Sequence, residues 1–233
     1  MYLVLGVDLS PQQPNFLPPN LKFEVDDLEE RWLYHQKFDY IHARDIGGSL
    51  KDWPKFFKQA FEFTAPGGYI ELTDALYPFK SDDGSLDGTA VLKWSQLIHE
   101  ATIVRFPFLL IKQDAMPSTN VETHQQKSGR PLCSRHERKT QIETAGYISV
   151  TERTDIWPCG RWPKDARLKE IGVWCRENVL IGLEGFSLAL FTRVLGWSTE
   201  EVQLFLVDVR RDMGNPNIHW YVPMYTVYGR KPE

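Results

Sequence analysis

The run Leu3-Val4-Leu5-Gly6-Val7 closes on Asp8 and a Ser10-Pro11 turn. A short apolar run stopped by turn residues reads as a buried strand of a parallel sheet. That reading constrains everything downstream. A parallel neighbour can be reached only by a crossover, and such a sheet needs helices over its faces. In nucleotide-binding sheets of this kind, an Asp at the carboxyl end of the second strand hydrogen-bonds ribose hydroxyls. Asp8 stands at such an end.

The remaining patterns agree with a layered α/β fold. Leu21–Val25 alternates apolar and polar residues, and Phe38–Arg44 is a further strand followed by a Gly47-Gly48 turn. Ser49 reads as a helix cap. Trp53, Phe56, Phe57, Ala60 and Phe61 then fall on one helical face, with Pro54 tolerated in the first turn. Ala65-Pro66-Gly67-Gly68 turns the chain into a strand at Tyr69–Leu72. A helix is expected over 86–103, a short one over 138–145 closed by Gly146, and a strand over 147–151. Trp157 to Pro163 reads as a stiff loop. Helical patterns cover 164–183, 184–196 and 199–213, the last with Ser198 and Glu201 as a capping box. Ile218–Tyr228 is a final strand, and Pro223 within it implies an edge position or a bulge. Strands alternating with helices point to a sheet covered by helices. No repeat or internal boundary divides residues 1–233, which reads as one domain with a loop insertion at 103–127.

Composition narrows the function. With 42% apolar and 25% charged residues, the 233-residue chain is of globular type. A formal charge of −4 argues against direct nucleic-acid binding. No apolar run approaches a membrane span, and the first ten residues lack the basic start of a signal peptide. Cys133, Cys159 and Cys175 form no zinc pattern and suit a reducing, intracellular setting.

Several segments together resemble one family. Gly6-Val7-Asp8-Leu9-Ser10-Pro11, Phe23-Glu24-Val25-Asp26-Asp27, Phe38-Asp39-Tyr40-Ile41-His42 and Asp52-Trp53-Pro54-Lys55 look like the fungal LaeA-like methyltransferases. So do Pro66-Gly67-Gly68-Tyr69-Ile70-Glu71, Trp162-Pro163-Lys164-Asp165, Leu183-Glu184-Gly185-Phe186-Ser187 and Tyr228-Gly229-Arg230-Lys231-Pro232. The resemblance implies a Rossmann-like class I methyltransferase sheet flanked by helices, and S-adenosyl-L-methionine as cofactor. It places the protein in secondary metabolism, with a cytoplasmic or nuclear location. Asp8 would hold the ribose hydroxyls, Asp27 and Leu28 would meet the adenine edge, and Asp26 would sit beside them. His42 to Asp45 would lie near the methionine part.

The family pattern has a strand and a Gly-x-Gly-x-Gly turn ahead of the position of Val4. This sequence contains neither, so the sheet is expected to lack its central strand and glycine-rich turn. Two functions follow. One is a methyltransferase acting on a small-molecule pathway intermediate or a protein. The other is a non-catalytic accessory or regulatory protein that binds a partner protein or steers an intermediate, with homodimerisation through exposed strand edges. Methyl transfer depends chiefly on proximity and orientation, and no residue is singled out as a catalytic base. The plainer readings are charge pairing at the sheet rim for Glu71 and Asp74, packing for the Trp157–Trp162 loop, and a solvated helix start for Arg135–Lys139.

Overall fold

The computed structural model describes residues 3–11, 14, 16–103 and 135–233. The expected insertion at 103–127 lies outside these residues, apart from Ile103.

Among the described residues, six strands form two hydrogen-bonded sheets. β1 (Val4–Asp8) pairs in parallel with β2 (Leu21–Val25), with Val4 opposite Leu21 and Asp8 opposite Val25. Gly6 leaves room for the ring of Phe23, whose atoms would lie 2.2 Å from a Cβ placed there. The second sheet has the order β3-β4-β6-β5, built from β3 (Phe38–Arg44), β4 (Thr64–Ala75), β5 (Ile148–Pro158) and β6 (Tyr221–Arg230). β3 and β4 run parallel, whereas β6 is antiparallel to both β4 and β5.

β1 and β3 therefore do not share a ladder, which is where the sequence expects a missing rung. Among the described residues no ladder joins the two strands, and part of each faces solvent, Val4 being 50% and Tyr40 53% exposed. An exposed backbone group is hydrated and escapes the penalty of about 1–3 kcal/mol for a buried unpaired one. The segment after β2 ties the small sheet to the rest. Trp32 is buried, its backbone N–H donates to Gln59 Oε1 at 3.0 Å, and Gln59 Nε2 donates to the Glu30 carbonyl at 2.9 Å.

Five helices are described. α1 (Trp53–Phe63) buries Trp53, Phe56, Phe57 and Ala60, as its periodicity requires. Its cap is Asp52 rather than Ser49: the Asp52 carboxylate accepts the Lys55 N–H at 2.9 Å, one turn later than expected. α2 is Ala90–Ile103 and α3 is Arg135–Thr144. α4 (Ala166–Arg193) runs unbroken for 28 residues, where the sequence suggested two helices. Gly182 and Gly185 look like breakers but neither takes a positive φ, so no terminating turn forms. α5 (Thr199–Met213) opens with the expected capping box of Ser198 and Glu201.

Two apolar cores lie on opposite faces of the larger sheet. α1, α3 and the segment around Trp32 pack with Ala43, Ile70, Leu72, Tyr225 and Val227. α2, α4 and α5 pack with Val222 and Met224. Successive β6 residues point to alternate faces, so one strand serves both cores. Pro223 sits in this interior strand, against the expectation of an edge or bulge. Its carbonyl accepts the Leu76 N–H at 2.8 Å, so its absent N–H would also face β4, just past the last paired residue, Ala75. On the β5 side Pro223 is opposite Ile156 and owes no hydrogen bond. β5 itself extends to Pro158, so Trp157 and Pro158 belong to a strand rather than to the loop.

Candidate functional site

Parallel sheets present ligand sites beyond the carboxyl ends of their strands. Asp8 and Asp26 meet at such an end: Asp8 pairs with Val25, and the Asp26 N–H donates to the Asp8 carbonyl at 3.2 Å. The Asp8 carboxylate accepts the Ser10 N–H at 2.9 Å through Oδ1 and is otherwise exposed. Asp26 Oδ1 accepts the Asp27 N–H, and Asp27 Oδ1 accepts the Glu29 N–H, each at 2.9 Å. Leu28 packs half-buried against the α1 core, and its carbonyl accepts Trp32 Nε1 at 3.2 Å. All four sequence-selected residues are thus gathered at one edge of the small sheet, on a polar ledge of linked Asx turns. None of them lines either of the two cavities below.

The carboxyl ends of β3 and β4 carry the first cavity, of about 410 Å³. Arg44 and Asp45 leave β3 there, Asp74 and Ala75 leave β4, and α2 and α4 close the sides with Trp94, Ile98 and Phe186. Asp45 has a φ of 54° at this mouth, a left-handed backbone that Asp tolerates better than most side chains. His42 stays outside the cavity. It lies on the sheet face beside Tyr40 and 3.7 Å from Glu71. A second cavity of about 480 Å³ adjoins the first; the two share Arg44, Trp157, Cys175 and Asn178, and the second adds Trp174. Trp157, expected to be packing alone, lines both.

The polar centre of the first cavity is a buried ion pair that sequence reasoning missed. Arg138 is 3% exposed and Asp74 8%. Arg138 Nη1 lies 2.6 Å from Asp74 Oδ2, at an angle that leaves its N–H unaligned with the carboxylate. The guanidinium also lies over Trp53, 3.9 Å from the ring centre, and Asp74 Oδ1 accepts the Gly47 N–H at 3.2 Å. Burial raises the Asp74 pKa; the nearby Arg138 charge lowers it, Asp45 raises it, and the backbone N–H groups of Gly47 and Ile46 lower it. Arg138 is therefore no part of a solvated helix start. The available signal was Ile142, fully buried one turn further along α3 and so on the same face as Arg138. The rim pairing read for Asp74 and Glu71 is present, but for Asp74 it is buried rather than solvated.

A helix-covered sheet with a cavity beyond its strand ends is an α/β frame that serves many functions; here the methyltransferase-domain family matches residues 2–109. Methyltransferase pytC of Aspergillus terreus is 33% identical over 230 residues, which cover 99% of this chain and 64% of that protein. The secondary metabolism regulator LAE1 of Cochliobolus heterostrophus is 31% identical over 235 residues, covering 99% of this chain and 69% of that protein. The chain belongs to the LaeA-like methyltransferase family of fungal secondary metabolism. It spans less than two thirds of the length of pytC. Among solved structures, phosphoethanolamine N-methyltransferase 2 of Haemonchus contortus is similar at 17% identity with a TM-score of 0.42, over 98% of this chain and 43% of that one. No helix among the described residues is long and apolar enough to cross a membrane.

Proposed function

We propose that this chain is the ligand-binding part of an S-adenosyl-L-methionine-dependent methyltransferase of secondary metabolism, acting on a small-molecule pathway intermediate. The cavity of about 410 Å³ at the carboxyl ends of β3 and β4, in a chain of this family, carries the proposal. The acceptor groups of the β1–β2 ledge, which line neither cavity, suit the cofactor. Carboxylates at adjacent strand ends, Asp8 and Asp26, accept from a ribose diol. Asp27 accepts from the adenine amine, and Leu28 offers the ring an apolar neighbour. Bound there, the cofactor supplies an electrophilic methyl group on a sulfonium sulfur. The chain's own contribution is to hold the acceptor, orient it and exclude water. Trp94, Phe186 and Trp157 give the cavity apolar walls for a flat acceptor, and the Asp74–Arg138 pair gives its polar group a fixed partner.

A second reading is a non-catalytic accessory or regulatory protein, inside the cell in cytoplasm or nucleus, that binds a partner protein or an intermediate. The separate β1–β2 sheet favours it, because among the described residues no strand pairs with the facing edges of β1 and β3, and such edges suit a partner strand or a second copy.

Thermal denaturation with S-adenosyl-L-methionine and with its demethylated product tests the first reading. A ligand at 100 times its dissociation constant adds about 2.7 kcal/mol, or roughly 5–10 °C in Tm for a chain of this size. Asp8→Ala is expected to abolish that shift. If the unmodified chain shows no shift at millimolar ligand, the enzyme reading fails for it and the accessory reading stands.

A further inference from the structure

Two thiols 16 residues apart in sequence meet behind the wall that both cavities share. Cys159 follows the last residue of β5 and is 1% exposed, while Cys175 lies on the inner side of α4, half-buried, and lines the two cavities. Their sulfurs are 3.2 Å apart. Local packing holds them there. The Cys159 N–H donates to the Trp220 carbonyl at 3.0 Å, and the Gly160 N–H donates to the Gly172 carbonyl at 2.8 Å. Gly172 has no side chain to keep that loop away: a Cβ there would sit 2.0 Å from the Gly160 carbonyl oxygen. Closing the sulfur separation to a covalent bond needs a movement of only about 1 Å.

We propose that Cys159 and Cys175 form a peroxide-oxidisable dithiol, in which Cys175 meets the oxidant through the cavities and Cys159 resolves the product. The Cys175 sulfur attacks one oxygen of a peroxide as thiolate. The O–O bond breaks, the departing hydroxide takes up the thiol's proton as water, and Cys175 becomes a sulfenic acid. The Cys159 sulfur then attacks the Cys175 sulfur. The S–S bond forms, the S–O bond breaks, and the hydroxyl leaves with the Cys159 proton as a second water. Two thiols lose two electrons, and one peroxide becomes two waters.

The electrostatics divide the roles the same way. The S–H of Cys159 donates to the Cys175 sulfur and pulls the Cys175 thiol below its ordinary pKa, whereas burial pushes the Cys159 thiol up. The thiolate is the nucleophile, so the more acidic and more accessible sulfur reacts first. Linking ties the end of β5 to α4 and withdraws the Cys175 thiol from the wall that both cavities share. This inference does not depend on methyl transfer.

The test uses the whole chain, reduced, desalted and exposed to a small molar excess of hydrogen peroxide. Loss of two hydrogen atoms from the intact mass and a Cys159–Cys175 linked peptide in a non-reducing digest are expected. The link should persist in Cys133→Ser. In Cys159→Ser, dimedone should trap a sulfenic acid at Cys175; in Cys175→Ser, Cys159 should stay unmodified. A link that includes Cys133, two thiols still free to alkylate after peroxide, or a dimedone adduct at Cys159 in Cys175→Ser overturns the proposal. The unsubstituted chain decides the first two outcomes, so a variant that fails to fold leaves the test intact.

Discussion

Asp74 shows how burial and charge compete at a single residue. Desolvation, with the Asp45 charge, outweighs Arg138 and the backbone N–H groups, so folding favours the protonated carboxyl. The stability this contributes is complete below the ordinary carboxylate pKa of about 3.9 and is lost as pH rises through the higher native value. Asp74→Asn cannot ionise. The unfolding free energy of wild type relative to Asp74→Asn should therefore fall as pH rises through that window, as read from urea titrations at several pH values; an unchanged or rising difference would contradict the burial argument. Arg138→Met removes the only cation set against Asp74 among the described residues and leaves a buried carboxylate beside Trp53. It should destabilise the protein by about 3–5 kcal/mol in the same measurement, and the double variant with Asp74→Asn should recover part of that loss. Neither effect was legible in the sequence. Arg138 sits in a run of five polar or charged residues, Arg135 to Lys139, and only contact with β4 makes it a core residue.

At the scale of elements, local patterns and tertiary packing divided the work unevenly. α1 and α5 were readable because each carries an apolar stripe and a cap within a few residues. The cap of α1 shifted from Ser49 to Asp52 because both residue types suit the role, and Pro54 then falls in the first turn. α4 is one helix where the sequence pattern divided it at 183/184. Its real constraint is at Gly172, where the Gly160 carbonyl lies against the helix backbone. Gly172→Ala should lose about 1–3 kcal/mol in urea unfolding despite the better helix propensity of Ala, because a backbone carbonyl cannot give way as a side chain can. A neutral or stabilising result would mean that the 158–163 loop is free to move. Pro223 was misplaced for a related reason. Proline is excluded from interior strands only where its N–H is needed, and the end of β4 removes the need.

Across the whole molecule, burial is distributed very unequally between the two sheets. Eight of the ten residues of β6 are buried, whereas no residue of β1 or β2 is. A lone two-stranded sheet is marginal in water, so β1 and β2 should open locally far more often than β4 and β6. Hydrogen exchange followed by mass spectrometry should show at least a roughly hundredfold faster exchange of β1 and β2 amides, corresponding to about 2.7 kcal/mol in opening free energy. Equal protection would mean that the edges of β1 and β3 are covered in solution. A ligand held by Asp8 and Asp26 should slow exchange in β1 and β2 first, which connects this measurement to the cofactor proposal.

By itself the sequence determined the strand and helix periods, the acidic ledge at Asp8 and Asp26, and the family, because these depend on residues close together along the chain or on motifs read in order. The tertiary structure alone decided that the strands divide into two sheets and that β6 lies inside. It also decided that Arg138 is buried against Asp74 and that Cys159 meets Cys175. Each of these is a contact between segments distant in sequence, and its energy depends on burial, which no local pattern encodes.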